Sequence, residues 1–486
     1  MQLFRNNTLH NSAKRGVKWN FISQGGQQIT QILTAAILAR LLSPNDFGLL
    51  SMATIIIGFL NVFKDLGTAS AVIRSRETSD QLLSTVFWIN VLFGCLAAAL
   101  LFLSTPLIAL FFHQPRLAPV LHLLSLGFVI SGLSNLHKAL LEKKLAFHSL
   151  AKIELLSVLA GAIVGVSAAL YGLGVWALVA QSMVSSCLLT LLLWCVAGYR
   201  PRLIFSRSEF RAVSSFSLNL TGFNSLNYLV RNADNMIIGR VLGAVPLGIY
   251  ALAYRIMLYP QISITAVITR VMYPVYSRIQ EDNLLLRQAY ARTVGMIALV
   301  TFPLMAGLAV LARPFVLVTF GQKWAGLIVL LQLFGPLSMF QSIAATTGSV
   351  FQAKGRSDIL FRWGIFSSII TIASFLLGIR WGIFGVAACY TAVGILIVLP
   401  CMMLAIRLID MKLRDLFPVL LPPSLGSLVM ALFLFLYQSL LGNCYTVFNL
   451  VFMILAGAFI YTLYIWFTDR QTLRSFLDAI GNRAAA

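Results

Sequence analysis

Polar side chains follow a helical spacing in two stretches of a chain that is otherwise strongly apolar. The first stretch has an i, i+3, i+7, i+10 pattern made of Gln24, Gln27, Gln31 and Thr34. The same pattern occurs 200 residues later in Asn224, Asn227, Arg231 and Asp234. This spacing puts each set on one face of a helix. Because polar groups inside a membrane need partners or water, we expect these faces to border an aqueous cavity, with hydrogen bonding between packed helices as the alternative.

Cationic side chains dominate the ionisable groups of this predicted cavity. Arg255 follows Tyr254 on the next apolar stretch. Its predicted position lies deeper in the bilayer than is favourable for a side chain whose charge extends to the lipid headgroups. Arg231 and Asp234 are three residues apart on the same face and are expected to pair. A guanidinium matches the oxygens of a phosphate and keeps its charge, so the cavity favours an anionic, phosphate-bearing ligand.

Three further charged residues lie close to predicted span ends. Lys64 and Asp65 end the second span, where a charged side chain can also reach the headgroups. Glu154 begins the fifth span, and we expect it to pair with Lys152 or with a neighbouring loop.

The composition is that of a membrane protein. The chain of 486 residues is 59% hydrophobic and only 10% charged, with a mean hydropathy of +0.88. Apolar runs of about 20 residues, the length that spans a bilayer, recur along the whole chain. The six cysteines form no CxxC pair and the five histidines have no metal-ligand spacing. We therefore predict no disulfide framework, no metal site, no cofactor and no catalytic residues.

The net charge of +21 is distributed unevenly over the predicted loops. Most of the 36 Lys and Arg residues fall on the side that holds both termini. The six on the opposite side are Arg116, Arg231, Arg240, Arg313, Lys323 and Arg380. The positive-inside rule then puts both termini in the cytoplasm. Topology and attraction to anionic headgroups explain the excess charge, so no nucleic-acid partner is predicted.

We predict an all-α polytopic membrane protein with about fourteen transmembrane helices. Among them, the sixth is predicted at 175–198, the seventh at 213–230, the tenth at 326–351 and the eleventh at 359–379. Six-helix lobes at 1–212 and 213–412 would surround a central cavity, and residues 413–486 would add two helices and a cytoplasmic tail. A shift of 200 residues aligns Arg40 with Arg240 and Gly48 with Gly248. Because six is an even number of spans, the two lobes have the same orientation and are related by an axis along the membrane normal. Such duplicated halves are typical of transporters.

The chain resembles the Wzx-type polysaccharide exporters of the multidrug/oligosaccharidyl-lipid/polysaccharide flippase superfamily over residues from about 10 to 410. The most specific part of the resemblance is Arg231-Asn-Ala-Asp-Asn-Met-Ile-Ile-Gly-Arg-Val-Leu-Gly243. Further matching stretches are Leu38 to Gly48, Asp65-Leu-Gly67, Phe87-Trp-Ile-Asn90, Ala253-Tyr-Arg255, Gly321-Gln-Lys-Trp324 and Lys354-Gly-Arg356.

This resemblance implies alternating-access translocation of an undecaprenyl-pyrophosphate-linked oligosaccharide across the bacterial plasma (inner) membrane, for surface polysaccharide biosynthesis. It implies membrane lipids, a polysaccharide polymerase and the chain-length machinery as partners. It leaves open which sugar is carried and whether H+ or Na+ drives the cycle. The candidate substrate-binding residues are Arg231, Arg255, Asp234, Asn224, Asn227, Gln24, Gln27, Gln31, Lys64, Asp65, Tyr254, Arg240 and Arg40.

Two alternatives remain at this point. One is an ion-coupled multidrug or small-molecule exporter of the same superfamily, against which the cationic cavity argues. The other is a membrane glycan polymerase or ligase. Such an enzyme usually needs an external loop with acid, base or Arg/His groups, and the predicted external loops lack that equipment.

Overall fold

The computed structural model describes residues 7–64, 72–73, 79–204, 206, 225, 227–442 and 445–470, with side chains of the first helix described from residue 24 onwards. Within these ranges the regular structure is entirely helical. Ten helical segments there are long and apolar enough to span a membrane. The chain is therefore a multi-pass integral membrane protein. The count of fourteen spans stays a prediction, because the predicted seventh span (213–230) lies mostly outside the described residues.

Residues 1–248 form one compact unit. Its helices are α1 (Asn7–Leu41), α2 (Pro44–Lys64), α3 (Asp80–Phe112), α4 (Leu117–Lys143), α5 (Phe147–Leu170), α6 (Val175–Ala197) and α7 (Ala233–Val241). α3 packs along α4, α5 along α6, and α1 along α5, while α7 packs on α2 and α3. The next helix, α8 (Ala244–Pro260), begins in this unit. The predicted lobe boundary after residue 212 lies outside the described residues and stays a prediction.

The start of α2 shows how local sequence defines a helix end. Ser43 precedes Pro44, and a proline suits the first helical turn because its missing N–H would have had no partner there. The Asp46 carboxylate accepts from the Ser43 backbone N–H at 3.0 Å and from the Ser43 hydroxyl at 2.6 Å. This reciprocal capping satisfies donors that the first helical turn leaves free.

The two hairpins that the sequence shift aligns make a reciprocal contact through their glycines. A Cβ added to Gly48 would lie 1.8 Å from the carbonyl oxygen of Ala244. A Cβ added to Gly248 would lie 2.0 Å from the carbonyl oxygen of Pro44. Residue 48 thus meets residue 244 while residue 248 meets residue 44, which is the contact pattern that a two-fold axis generates. Only glycine lets the starts of α2 and α8 approach this closely.

Residues 249–486 form the second compact unit. After α8, a π-helix (Gln261–Thr265) leads into α9 (Ala266–Arg278). The remaining helices are α10 (Asn283–Val310), α11 (Ala312–Thr319), α12 (Gly326–Ala344), α13 (Thr347–Ala353), α14 (Ser357–Gly378), α15 (Gly382–Arg407), α16 (Phe417–Leu441) and α17 (Val447–Thr468), with short 3-10 turns at Gln322–Trp324, Ile379–Trp381 and Leu413–Leu416. α10 packs against α12 and α16, and α15 packs against α12 and α14.

Two predicted spans of this unit are irregular. The π-helix directly follows Pro260, which has no backbone N–H and so disrupts the regular hydrogen-bond ladder. The predicted tenth span is divided between α12 and α13 at residues 345–346. The last two helices pack beside α10, where Leu299, Pro303, Met430, Met453 and Tyr461 help to line an apolar cavity of about 480 Å³.

Candidate functional site

The polar face of α1 reaches a partly buried ion pair in the first unit. The Gln27 side-chain amide donates to one carboxylate oxygen of Glu154 at 3.0 Å. The Lys138 ammonium lies 2.9 Å from the other oxygen of the same carboxylate. The three side chains come from α1, α5 and α4, so each depends on the packing of a different helix. Gln24 and Gln31, the other candidates on this face, are exposed.

The partner of Glu154 differs from the one expected. The sequence pairs this carboxylate with Lys152 or with a loop, but the structure pairs it with Lys138 on the preceding helix. Lys152 is two residues before Glu154, and residues two apart on a helix do not face each other. Lys138 could have been chosen as a candidate from the sequence, because it is a charged side chain inside a predicted span.

A chain of hydrogen bonds crosses three helices of the second unit. The Gln261 amide donates to the Gln341 carbonyl oxygen at 3.2 Å, and the Gln341 amide donates to the Tyr390 hydroxyl at 3.1 Å. The Tyr390 and Tyr254 hydroxyl oxygens are 3.5 Å apart. All four side chains are partly buried. Of these four residues, only Tyr254 is among the candidates predicted from the sequence, since Gln341 and Tyr390 are isolated polar residues whose spacing matches no pattern.

Aromatic rings surround this hydrogen-bond chain. The Tyr254 ring stacks on Tyr250 with ring centres 6.1 Å apart, and Phe334 meets Tyr254 edge-on at 6.1 Å. Phe375 lies 5.4 Å from the Tyr390 ring. The cluster therefore combines rigid apolar faces with amide and hydroxyl groups that can exchange hydrogen bonds with a ligand rich in hydroxyl groups.

Arg231 and Arg255 are two of the three candidate arginines with exposed side chains. Arg255 follows Tyr254 on α8, and Arg231 stands two residues before α7. Within the described part of the chain, neither guanidinium takes part in an ion pair within 4.0 Å. Arg231 lies in the first unit and Arg255 in the second.

The expected contact between Arg231 and Asp234 is absent among the described residues. The Asp234 side chain is buried, and its Oδ1 accepts from the Asn235 backbone N–H at 2.7 Å and from the Asn235 side chain at 3.2 Å. The i, i+3 spacing brings two side chains together only on a continuous helix. The chain turns at Asn232, directly before α7, so the two residues do not share one regular face.

Arg240 contacts the end of another helix. Its guanidinium donates to the carbonyl oxygens of Leu110 and Phe111 and lies against the His113 ring. It also lies over the Phe111 ring, 5.3 Å from the centre. A cation at a helix C-terminus satisfies free carbonyls and opposes the negative end of the helix dipole. This arrangement gives Arg240 a structural role in the first unit.

The remaining candidates are exposed or lie outside the described residues. Arg40 and Asn227 are exposed. Asn224, Asp65 and the side chain of Lys64 lie outside the described residues. Among the described residues there is no group of three or more His, Cys, Asp or Glu that could hold a metal ion.

Comparison with known proteins gives concordant matches. The model of a family described as "Polysaccharide biosynthesis protein" matches residues 37–329. The chain is 32% identical to "Lipopolysaccharide biosynthesis protein WzxC" of Escherichia coli (strain K12), over 75% of this chain and 74% of that protein. It is 28% identical to "Succinoglycan biosynthesis transport protein ExoT" of Rhizobium meliloti (strain 1021), over 96% of this chain and 94% of that protein. The fold is similar to that of "Lipid II flippase MurJ, inward closed conformation", with a TM-score of 0.72 and 16% identity over 93% of this chain and 100% of that chain.

Proposed function

The chain belongs to the family of polysaccharide biosynthesis proteins, and from this we propose that it is a flippase for a lipid-linked oligosaccharide. The substrate would carry an undecaprenyl pyrophosphate, and alternating access would move its headgroup from the inner to the outer leaflet of a bacterial plasma membrane. The protein is a transporter rather than an enzyme, as the names of its relatives and its fold similarity support.

The exposed arginine beside the hydrogen-bond chain is the observation that carries this proposal. Arg255 presents a permanent positive charge on a helix of the membrane domain, one residue from Tyr254. A guanidinium can bind two phosphate oxygens at once. The neighbouring amides and hydroxyls suit an oligosaccharide. A substrate with both a pyrophosphate and sugars matches these two features better than a cationic drug does.

We expect the purified protein to translocate such a substrate in liposomes. Vesicles with a fluorescent lipid-linked oligosaccharide should expose the inner-leaflet pool to an impermeant lectin only when they contain the protein. Equal exposure in protein-free vesicles would refute the proposal. Uptake of cationic dyes in place of the oligosaccharide would favour the drug-exporter alternative.

The proposed topology puts both termini in the cytoplasm and Cys444, which lies outside the described residues, on the external side. In a variant that keeps only Cys444 of the six cysteines, an impermeant maleimide should label intact cells. Arg356→Cys in a cysteine-free background should react only after the cells are opened. The reverse labelling pattern would contradict the proposed orientation.

The partners of this function would be membrane lipids, a polysaccharide polymerase and the chain-length machinery. The predicted spans one, two, seven and eight, with the polar faces of the first and the seventh, would provide the path of the headgroup. The polyprenyl chain would stay in the bilayer during the movement.

A further inference from the structure

The ion pair of the first unit lies one to two helical turns from the ends of α4 and α5. Glu154 is seven residues from the start of α5, which corresponds to roughly 10 Å along a helix. Lys138 is five residues before the end of α4, which corresponds to roughly 8 Å. In the proposed topology both helix ends face the cytoplasm, the side from which the substrate would enter. Charged groups at this depth are expensive and are commonly functional.

Lys138 is the one charged side chain in contact with Glu154 among the described residues. α6 has no charged residue, and α1 from residue 24 onwards has only Arg40, near its opposite end. The side chains of Lys14, Arg15 and Lys18, earlier on α1, lie outside the described residues. On α4, the His137 ring faces the carbonyl oxygens of Leu133 and Tyr199. The other described ionisable groups near these helix ends are Glu142, Lys143, Lys144, His148 and Lys152. Among the described side chains, the charge of Glu154 is therefore balanced by a single partner.

The two members of the pair differ in exposure. The Glu154 side chain is 20% exposed, whereas that of Lys138 is 43% exposed. Lysine has a flexible stem of four carbons and three donors that can rotate. Its ammonium can turn toward an incoming anion while the carboxylate stays where Gln27 holds it.

We infer that Lys138 exchanges its partner from the Glu154 carboxylate to the substrate pyrophosphate, and that Glu154 takes up a proton when this happens. The inference rests on the proposed function. A carboxylate that loses its cation in an apolar environment favours the protonated form. The proton would come from cytoplasmic water and would return to water when the substrate leaves and the ion pair forms again. Lys138 keeps all of its own protons throughout.

Through this exchange, binding of the substrate pyrophosphate and protonation of the Glu154 carboxylate depend on each other. Binding would be tighter at low pH, because protons and pyrophosphate bind together. Release into a more alkaline compartment would be favoured by the same linkage, which holds for both ligands equally.

Titration calorimetry on the purified full-length protein tests the exchange. Undecaprenyl pyrophosphate in detergent micelles is titrated near pH 7 in two buffers of different ionisation enthalpy, so that the difference gives the protons taken up. On binding, wild type should take up about one proton more than Glu154→Gln or Lys138→Met. Any protonation of the ligand itself is the same for all three proteins and drops out of this comparison. Lys138→Met should also weaken binding about tenfold, and Lys138→Arg should retain most of the affinity.

Glu142→Gln is the matched control, since it removes a carboxylate at the end of α4 that makes no ion pair among the described residues. It should behave like wild type. Inorganic pyrophosphate and phosphatidylglycerol are titrated in the same way, to distinguish a free or phospholipid phosphate from a prenyl pyrophosphate. If either one binds with the same affinity and proton uptake as undecaprenyl pyrophosphate, the assignment is overturned. Wild-type binding with the same proton uptake as both variants would overturn this inference alone. No wild-type binding of undecaprenyl pyrophosphate would overturn the proposed function as well.

Discussion

Replacing Gly48 with alanine should remove most of the correctly folded protein. The added Cβ would lie 1.8 Å from the Ala244 carbonyl oxygen and 2.5 Å from the Ala244 carbonyl carbon. Both are backbone atoms, so the overlap is relieved only if the starts of α2 and α8 separate. Overpacking of this kind costs about 1–3 kcal/mol and sometimes more. Fluorescence-detected size-exclusion chromatography after heating should show a lower melting temperature and a smaller monodisperse peak.

The reciprocal variant and a glycine control make this prediction specific. Gly248→Ala should have a comparable effect, because its Cβ would lie 2.0 Å from the Pro44 carbonyl oxygen. Gly25→Ala should be neutral or stabilising by up to about 1 kcal/mol, since alanine is the better helix former. Among the described residues, no atom outside the backbone of the same helix lies within 4 Å of a Cβ added to Gly25. Unchanged melting of both hairpin variants would contradict the close contact.

Arg255→Ala should abolish most export while leaving the amount of protein unchanged. The side chain is exposed and makes no ion pair among the described residues, so its removal costs little folding energy. A hydrogen bond to a charged group contributes about 1.5–3 kcal/mol, which corresponds to a loss of roughly 10- to 150-fold in affinity for the headgroup. Arg255→Lys should restore part of the activity, because an ammonium keeps the charge but loses the two-pronged geometry. Translocation per molecule in liposomes is the measurement.

The same reasoning applies to Arg231 in the first unit. Arg380→Ala is the matched control, because Arg380 is also exposed and lies in a short 3-10 turn. It should retain normal export. Asp234→Asn should affect export less than Arg231→Ala, since the buried carboxylate contacts Asn235 rather than the arginine. Normal export per molecule in both Arg231→Ala and Arg255→Ala would exclude the proposed phosphate contacts.

The helical architecture and the positions of several helices could be read from the sequence. The predicted sixth span, 175–198, corresponds to Val175–Ala197, and the predicted eleventh, 359–379, corresponds to Ser357–Gly378. Length and apolarity suffice for this, because a segment in lipid must satisfy its backbone groups internally and forms a helix whatever its neighbours are. The internal repeat was also visible, and the glycines it aligns at 48 and 248 take part in equivalent contacts.

The partners of the polar side chains depended on the tertiary structure. Gln27 and Tyr254 could be selected as candidates from the sequence. The sequence did not show that Gln27 contacts Glu154 or that Tyr254 lies beside Tyr390. It placed Glu154 near Lys152, whereas the structure pairs it with Lys138. Helix formation is local, but the partner of a side chain depends on how each helix is rotated against the next. That rotation is determined by packing between residues far apart in sequence, such as Arg240 and the end of α3.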